Sequence, residues 1–292
     1  MENPLHAAYY ADRFQYCTVP ILENVRLARD TYRLRVACPE IAQRITPGQF
    51  VMLRLHGCND PLIGRPFALY DVHASQAGGR YDWLDVVYLV KGKLSSRLAH
   101  YQSGESIDLW GPLGNGFLPR PTEHLIMVAG GIGQTPFLAL AQEYCSRKSY
   151  GDQPREVPHA QKITFCYGAR SADYFAGLAD FEQLGIELKL STDDGSRGHH
   201  GLVTDLLRQT LAETQLQPRV VCCGPEPMMA AVACICQDAN VPCEVSLETP
   251  MACGIGICFT CVAMVKDEHG HCDYQRTCVE GPVFDATRLE AI

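Results

Sequence analysis

The chain is 292 residues long, 47% hydrophobic and 20% charged, ordinary values for a globular protein with room for two domains and a small appendix. Its formal net charge of −8 excludes nucleic acid as the expected partner, because phosphate binding needs a basic face. No apolar run approaches the roughly 18–20 residues that cross a bilayer, and residues 1–16 carry His, Asp, Arg and Gln without an apolar core. Neither a membrane span nor a secretory leader is expected, and the cytoplasm is the plain location.

Short apolar runs at 32–36, 50–55, 68–72, 84–90 and 106–110 are broken by Gly48, Gly57, Gly78, Gly79 and Gly104. That rhythm predicts an N-terminal antiparallel β-barrel or sandwich. Within it, Arg65-Pro66-Phe67-Ala68 joins a cation to a strand that can pack on an aromatic ring. Further on, Val87-Tyr88-Leu89-Val90-Lys91-Gly92-Lys93-Leu94-Ser95 reads as a strand and a turn, and Gly111–Gly116 as a loop. From the residues alone, Arg65 is equally a surface salt-bridge residue.

The pattern changes after Pro119 and Pro121. Buried-strand runs at 124–129, 162–167, 187–191 and 219–223 alternate with helical patterns at 136–144, 175–183, 203–212 and 226–239. Strand–helix alternation predicts a parallel sheet. The first of these strands meets Gly130-Gly131-Ile132-Gly133-Gln134-Thr135-Pro136, a glycine turn that lets a pyrophosphate approach a helix N-terminus. A plain tight turn explains it as well, since the third dinucleotide-fold glycine and the later acidic residue are missing. Two further strand ends fall on the same edge: Cys223-Gly224-Pro225 and Ser191-Thr192-Asp193-Asp194. Asp193 and Asp194 are either ligand contacts or turn caps.

From 244 onward the chain is rich in loops and cysteine. Of its fifteen cysteines, most sit in apolar runs, as Cys166 and Cys222 do, and read as small buried residues. Cys253, Cys258 and Cys261 instead follow C-x4-C-x2-C, with Cys278 beyond, the spacing of a plant-type two-iron cluster. Zinc sites favour paired C-x2-C knuckles, and only one such pair is present. Cys272 competes for the fourth position, but it lies beside His269 and His271 in a polar stretch. The fold class is therefore α+β and multi-domain: a barrel at 1–119, an α/β nucleotide domain at 120–243 and an iron–sulfur segment at 244–292.

Taken in order, Arg-Pro-Phe-Ala, Gly-Pro-Leu-Gly-Asn-Gly-Phe, Gly-Gly-Ile-Gly, Ser-Thr-Asp-Asp-Gly-Ser, Cys-Gly-Pro and the cysteines resemble the ferredoxin–NADP reductase superfamily. Within it the chain is most similar to electron-transfer subunits of dihydroorotate dehydrogenase B, from about residue 18 to the end. The resemblance implies FAD in the barrel, NAD in the central domain and a C-terminal [2Fe–2S] cluster. The family's flavin motifs fall on Arg65 to Ala68, Val87 to Leu89, and Leu94-Ser95 after Gly92. Ala68 replaces a serine, Leu89 an arginine and Leu94 a glycine. Cys223 falls at the family's nicotinamide position, and is otherwise a buried strand cysteine. An FMN-containing dihydroorotate dehydrogenase catalytic subunit is the implied partner, docking near Met251, Ile255, Ile257 and Phe259. Arg170-Ser171 either binds a 2′-phosphate or caps a helix, so NAD against NADP stays open. The rival readings are a reductase subunit serving ferredoxin, a hydrogenase or sulfur metabolism, and a non-enzymatic metal-binding or redox-sensing module.

Overall fold

In the computed structural model, which describes residues 14–290 apart from 77, 154 and 268, six N-terminal strands close into a barrel. They are β1 (Gln15–Ala28), β2 (Thr31–Ala37), β3 (Phe50–Leu55), β4 (Arg65–His73), β5 (Trp83–Leu89) and β6 (Ser106–Leu113), in the order β1-β2-β5-β4-β3-β6. Every pairing is antiparallel, and β6 returns to β1. Side chains alternate across the wall, so Val19, Ile21, Leu34, Val36, Leu53 and Leu109 fill the interior. β1 escaped the sequence reading because its second half, around Glu23, Asn24 and Arg26, is polar and barely alternates. Its ladder to β2 carries it regardless of propensity. The short helices α1 (Pro39–Ala42) and α2 (Lys93–Leu98) cover the ends. The leader reading of residues 1–16 falls almost wholly outside the described residues.

The second layer system holds β7 (His124–Gly130), β8 (Lys162–Ala169), β9 (Glu187–Thr192), β10 (His199–His200), β11 (Pro218–Cys223) and β12 (Cys243–Ser246) in parallel. Its helices are α3 (Phe137–Tyr144), α4 (Leu178–Glu182), α5 (Val203–Glu213) and α6 (Glu226–Asp238). The helix expected over 175–183 is shorter, because Phe175 is extended (ψ 107°) and the chain turns again before Leu178. Arg219 and Glu244 form a buried ion pair between β11 and β12 at 2.8 Å, with Tyr144 Oη accepting from the same guanidinium at 2.6 Å. Removing one partner would strand a buried charge, typically at 3–5 kcal/mol.

The C-terminal segment adds a hairpin, β13 (Val262–Lys266) with β14 (Cys272–Arg276), and then β15 (Val283–Asp285). β15 pairs antiparallel with β12 and completes the order β10-β9-β8-β7-β11-β12-β15. The boundary expected between 243 and 244 thus cuts through β12. The run is only four residues long, too short for its periodicity to register. Barrel and sheet are bolted together by Asp71, which accepts from Lys148 Nζ at 2.6 Å and Tyr150 Oη at 2.8 Å, and by Tyr70 Oη donating to Asp180 at 2.6 Å. Among the described residues no helix is long and apolar enough to cross a membrane.

Candidate functional site

The cysteine loop packs on the barrel. Phe50, Met52 and Leu113 of the barrel form one buried cluster with Met251, Cys261, Cys278 and Val279. Gly254 sits at φ +73°, and a Cβ there would lie 2.5 Å from Met52 Cγ, so only glycine lets the loop come this close. Trp110 Nε1 donates to the Cys253 carbonyl at 2.9 Å and fixes the loop entrance. At the far end, Asn115 donates to the carbonyls of Glu280 and Val283 at 2.9 and 2.7 Å. The glycine-rich loop after β6 is therefore a clasp for the C-terminal segment.

The four thiols fall into two pairs, Cys253 with Cys258 and Cys261 with Cys278. Tetrahedral zinc with four thiolates needs sulfurs roughly 3.8 Å apart all round, given Zn–S bonds of about 2.3 Å. Among the described residues, no three of these four cysteines lie mutually within 4.8 Å. A pairwise arrangement of thiols suits a two-iron cluster better than a single tetrahedral ion. Burial opposes ionisation of Cys258, but hydrogen bonds from Thr260 and Cys253 outweigh it and bring the thiol down to about 6. The Cys278 thiol does the same for Cys261, against its burial and with help from Thr277, again to about 6. Cys278, as the donor facing that thiolate, is pushed up. Thiolates at neutral pH are what iron binds. Cys272 is exposed on β14 and points to Glu290, away from all four.

The barrel segments form the next station. β3 pairs with β4 in the register Phe50 to Ala68, Met52 to Pro66 and Leu53 to Arg65. The strand that carries the cysteine loop thus lies beside Arg65-Pro66-Phe67-Ala68. Arg65 is exposed; its Nη1 donates to the Ile63 and Gly64 carbonyls at 2.9 Å, and it has no acidic partner among the described residues. The salt-bridge alternative for Arg65 therefore has no support, and an exposed, uncompensated guanidinium suits an anionic ligand. Phe67 meets Tyr88 edge-on at 6.0 Å, and Tyr88 stacks on Tyr32 at 5.6 Å with its hydroxyl donating to Asn24. The Tyr88 ring belongs to the barrel core, while Val87 belongs to the core shared with the sheet. Ser95 Oγ is occupied locally, accepting from the Lys91 and Gly92 amides at 3.0 and 3.1 Å. Leu94 is buried, and the space in front of Gly92 is open.

The third station is the carboxyl edge of the sheet. The turn Gly131–Gln134 touches β5 on one side and β11 on the other. A Cβ on Gly133 would stand 2.2 Å from the Cys223 carbonyl, so the turn interlocks with Cys223-Gly224-Pro225. Gly130 packs in the same way on Pro225 and Met228, whereas the space before Gly131 is open. Gln134 is fully buried, yet both amide atoms lack a hydrogen-bond partner, and the buried Ser191 hydroxyl at the end of β9 lacks one too. Orphaned polar atoms at two strand ends on this edge mark where a polar ligand or ordered water belongs. Asp194 caps its own turn, accepting from the Ser196 amide at 2.9 Å, while the exposed Asp193 side chain makes no such bond among the described residues. Ser171 does not cap the short turn Ala172–Tyr174; the Ala172 amide donates to Ser196 Oγ at 2.8 Å instead. Burial first, then the nearby Glu248 carboxylate, push the Cys223 thiol up to about 12, against a hydrogen bond with Ser246. At neutral pH Cys223 is a thiol, not a thiolate nucleophile.

The structure thus brings Cys223, Gly224 and Pro225 against Gly130 and Gly133, leaves the space before Gly131 open, and sets the four cysteines around one loop. Sequence reasoning gave no site role to Gln134, Ser246, Glu248, Asn115 or Trp110, although Gln134 and Asn115 lie inside the glycine-rich segments it singled out and Ser246 to Glu248 open the stretch where the family resemblance is most specific.

Three family models match the chain in succession: an oxidoreductase FAD-binding domain over residues 18–117, an oxidoreductase NAD-binding domain over 127–234, and the iron-sulfur cluster binding domain of dihydroorotate dehydrogenase B over 248–290. The electron transfer subunit of dihydroorotate dehydrogenase B (NAD(+)) from Desulforamulus reducens is 34% identical over 270 residues, covering 92% of this chain and 96% of the relative. The subunit of the same name from Fusobacterium nucleatum is 32% identical over 283 residues, covering 95% and 99%. Among solved structures, one described as an NADH-dependent reduced ferredoxin–NADP oxidoreductase superposes with a TM-score of 0.77 at 26% identity, covering 94% of this chain and 90% of that one. A ferredoxin–NADP reductase from Neisseria gonorrhoeae, at 18% identity and a TM-score of 0.58 over 76% of this chain and 91% of that one, shares the fold. With relatives at 32–34% identity covered over more than nine-tenths of both chains, the chain belongs to the family of dihydroorotate dehydrogenase B electron transfer subunits.

Proposed function

We propose that this protein relays electrons between a catalytic subunit that oxidises dihydroorotate and NAD. The observation that carries the reading is the order of the three stations: cysteine loop on β3, the Arg65 strand beside it, β5 next, and the glycine turn against β5. Cys253 and Cys258 would hold one iron of a [2Fe–2S] cluster, and Cys261 and Cys278 the other. Arg65 would meet the charged edge or phosphates of FAD, with Pro66, Phe67, Ala68, Val87 and Leu89 along its ring. Tyr88 would support that wall from behind, and Gly92, Leu94 and Ser95 would shape the turn at its end. Gly130, Gly131, Gly133, Gly224, Pro225 and Asp193 would receive NAD, with Cys223 beside the nicotinamide. When bound, flavin supplies the exchange between one-electron and two-electron chemistry that links a cluster to a nicotinamide.

The chain's own contribution is positional. Trp110, Asn115 and the Phe50–Met52–Leu113 cluster fix the cysteine loop against the barrel and exclude water from Cys261 and Cys278. Keeping Cys223 protonated leaves a small, neutral side chain where a charged one would repel or trap the nicotinamide. No disulfide joins any of the fifteen cysteines, which suits a reducing cytoplasm.

The partner, an FMN-containing catalytic subunit, would supply the site for dehydrogenating a small acid, none being found among the described residues. The isolated protein should pass electrons from NADH to artificial acceptors and leave dihydroorotate untouched; adding the catalytic subunit should produce dihydroorotate-dependent NAD reduction. Oxidation of dihydroorotate by the isolated chain, or absence of a complex, would refute the division of labour. The likeness to the ferredoxin–NADP oxidoreductase supports a second reading, with reduced ferredoxin as the donor. Reduced ferredoxin driving NAD reduction where dihydroorotate plus the catalytic subunit does not would favour it.

Arg65→Ala tests the flavin assignment separately. Loss of a forked, charge-assisted contact to an anionic cofactor is worth about 1.5–3 kcal/mol, so the variant should purify with at most about a tenth of the FAD while its iron stays unchanged. Unaltered flavin content would remove Arg65 from the site.

A further inference from the structure

Away from the cysteine loop, a second set of soft donors stands at one end of the barrel. The thiols of Cys17 and Cys38 and the carboxylate of Glu40 lie mutually within 4.8 Å, and among the described residues no other three potential metal donors lie so close together. We propose that these residues form a zinc-binding site distinct from the iron–sulfur loop.

The placement follows from the fold. Cys17 lies on β1 opposite Leu109 and shares the strand face of Val19 and Ile21, so its sulfur turns toward the barrel interior. Cys38 follows β2 and is fully buried, held by its amide donating to the Asp82 carbonyl at 2.9 Å. Pro39 separates it from Glu40, which lies in the first turn of α1 at the exposed rim. Proline fixes φ between the two donors, so Cys38 and Glu40 are presented with little backbone freedom to lose. Two donors come from one rigid turn and the third from a strand 21 residues earlier, so a bound ion would tie β1 to the β2–α1 corner.

The chemistry selects the ion. Two thiolates and a carboxylate are a soft-to-borderline set that suits zinc, and four-coordinate zinc accepts three protein ligands with water in the fourth place. The exposed side of Glu40 gives that water and the entering ion a path. Three donors that are anionic when ligating need positive charge beside them, and Glu40 has no ion pair among the described residues. Cys38 adjoins Asp82 and Trp83, six residues along β5 from Leu89, or about 20 Å at strand rise. The site is therefore separate from the segments assigned to flavin.

The test uses the full chain with its iron and FAD in place. Zn²⁺ is added, free metal is removed against a weak chelator, and zinc, iron and flavin are counted together; Cd²⁺ titration follows the thiolate-to-cadmium ultraviolet band. The wild type should retain one equivalent of zinc with iron unchanged. Cys17→Ser and Cys38→Ser should each weaken zinc binding by at least about 100-fold, and Glu40→Gln by about tenfold, magnitudes at or above those for disturbing a ligand's support. Iron and flavin should be unaltered throughout. Should the buried Cys38→Ser variant fail to fold, Cys17→Ser and Glu40→Gln decide the matter, since both sit at the barrel's accessible end. A wild type that retains no zinc, a Cys17→Ser variant that binds it as tightly as the wild type, or a Cys17–Cys38 disulfide that persists under thiol reductant would each overturn the site.

Discussion

Replacing Cys278 by serine is expected to empty the protein of iron, whereas serine at Cys272 leaves the iron in place. Cys278 is fully buried and faces Cys261, whose thiol it holds near pH 6, and it closes the apolar cluster formed with Phe50, Met52 and Leu113. A serine oxygen there is a harder, less easily ionised ligand, and the pair facing the second metal position would be reduced to one thiolate. Iron content should fall at least about tenfold, the visible cluster absorbance with it, and NADH oxidation by artificial acceptors that take electrons directly from flavin should survive. Cys272 is exposed, its thiol 3.5 Å from Glu290 and on the outer hairpin, so its loss should change none of these. The reverse pattern would reassign the fourth ligand to Cys272 and require the hairpin to fold back on the loop.

The fold was legible where side-chain period and burial agree. The runs at 50–55 and 124–129 recur as β3 and β7 because one is a barrel wall and the other is buried on both faces of a parallel sheet, each with its characteristic pattern. β1 was not legible, since Glu23, Asn24 and Arg26 make its second half polar, and Glu23 is held by an ion pair across to Arg33 of β2 that no pattern within β1 encodes. β12 and β15 were lost for another reason: they are short, and only their pairing across 36 residues of intervening chain makes a sheet of them. The cysteine spacing revealed the loop because ligand geometry is local, within Cys253 to Cys261. What the spacing does not contain is the neighbour. That Met52 sits under Gly254 and beside Pro66, so that one strand carries the loop and borders the arginine motif, is a fact of register. The same holds for the pairing of β5 with the glycine turn, which no motif in either segment encodes. The orphaned Gln134 amide is equally invisible in one dimension, because lack of a partner is a property of packing.

The docking surface changes most between sequence and structure, and it supports the second large effect. Of the four apolar residues expected there, Met251 is buried and Ile255 packs on the barrel cluster, so neither is available to a partner. Ile257 and Phe259 remain, 67% and 64% exposed, on either side of Cys258. Phe259 also holds a left-handed backbone, φ 54°, which a bulky residue adopts only under constraint. Its ring lies under the Arg276 guanidinium at 5.5 Å, so it is oriented before any partner arrives. An exposed, preset aromatic beside a cluster ligand has the makings of an interface anchor, where truncation typically removes 2 kcal/mol or more. Phe259→Gly is the informative change, because glycine accepts the same backbone and removes only the ring. It should keep its iron, its flavin and its NADH-to-acceptor activity, yet bind the catalytic subunit about 30-fold more weakly, with dihydroorotate-dependent NAD reduction falling in step at limiting subunit. Ile257→Asp should behave alike by placing an unpaired charge in the contact. If both variants couple to the catalytic subunit as the wild type does, the partner approaches the cluster from another side and Phe259 serves only to cover Arg276.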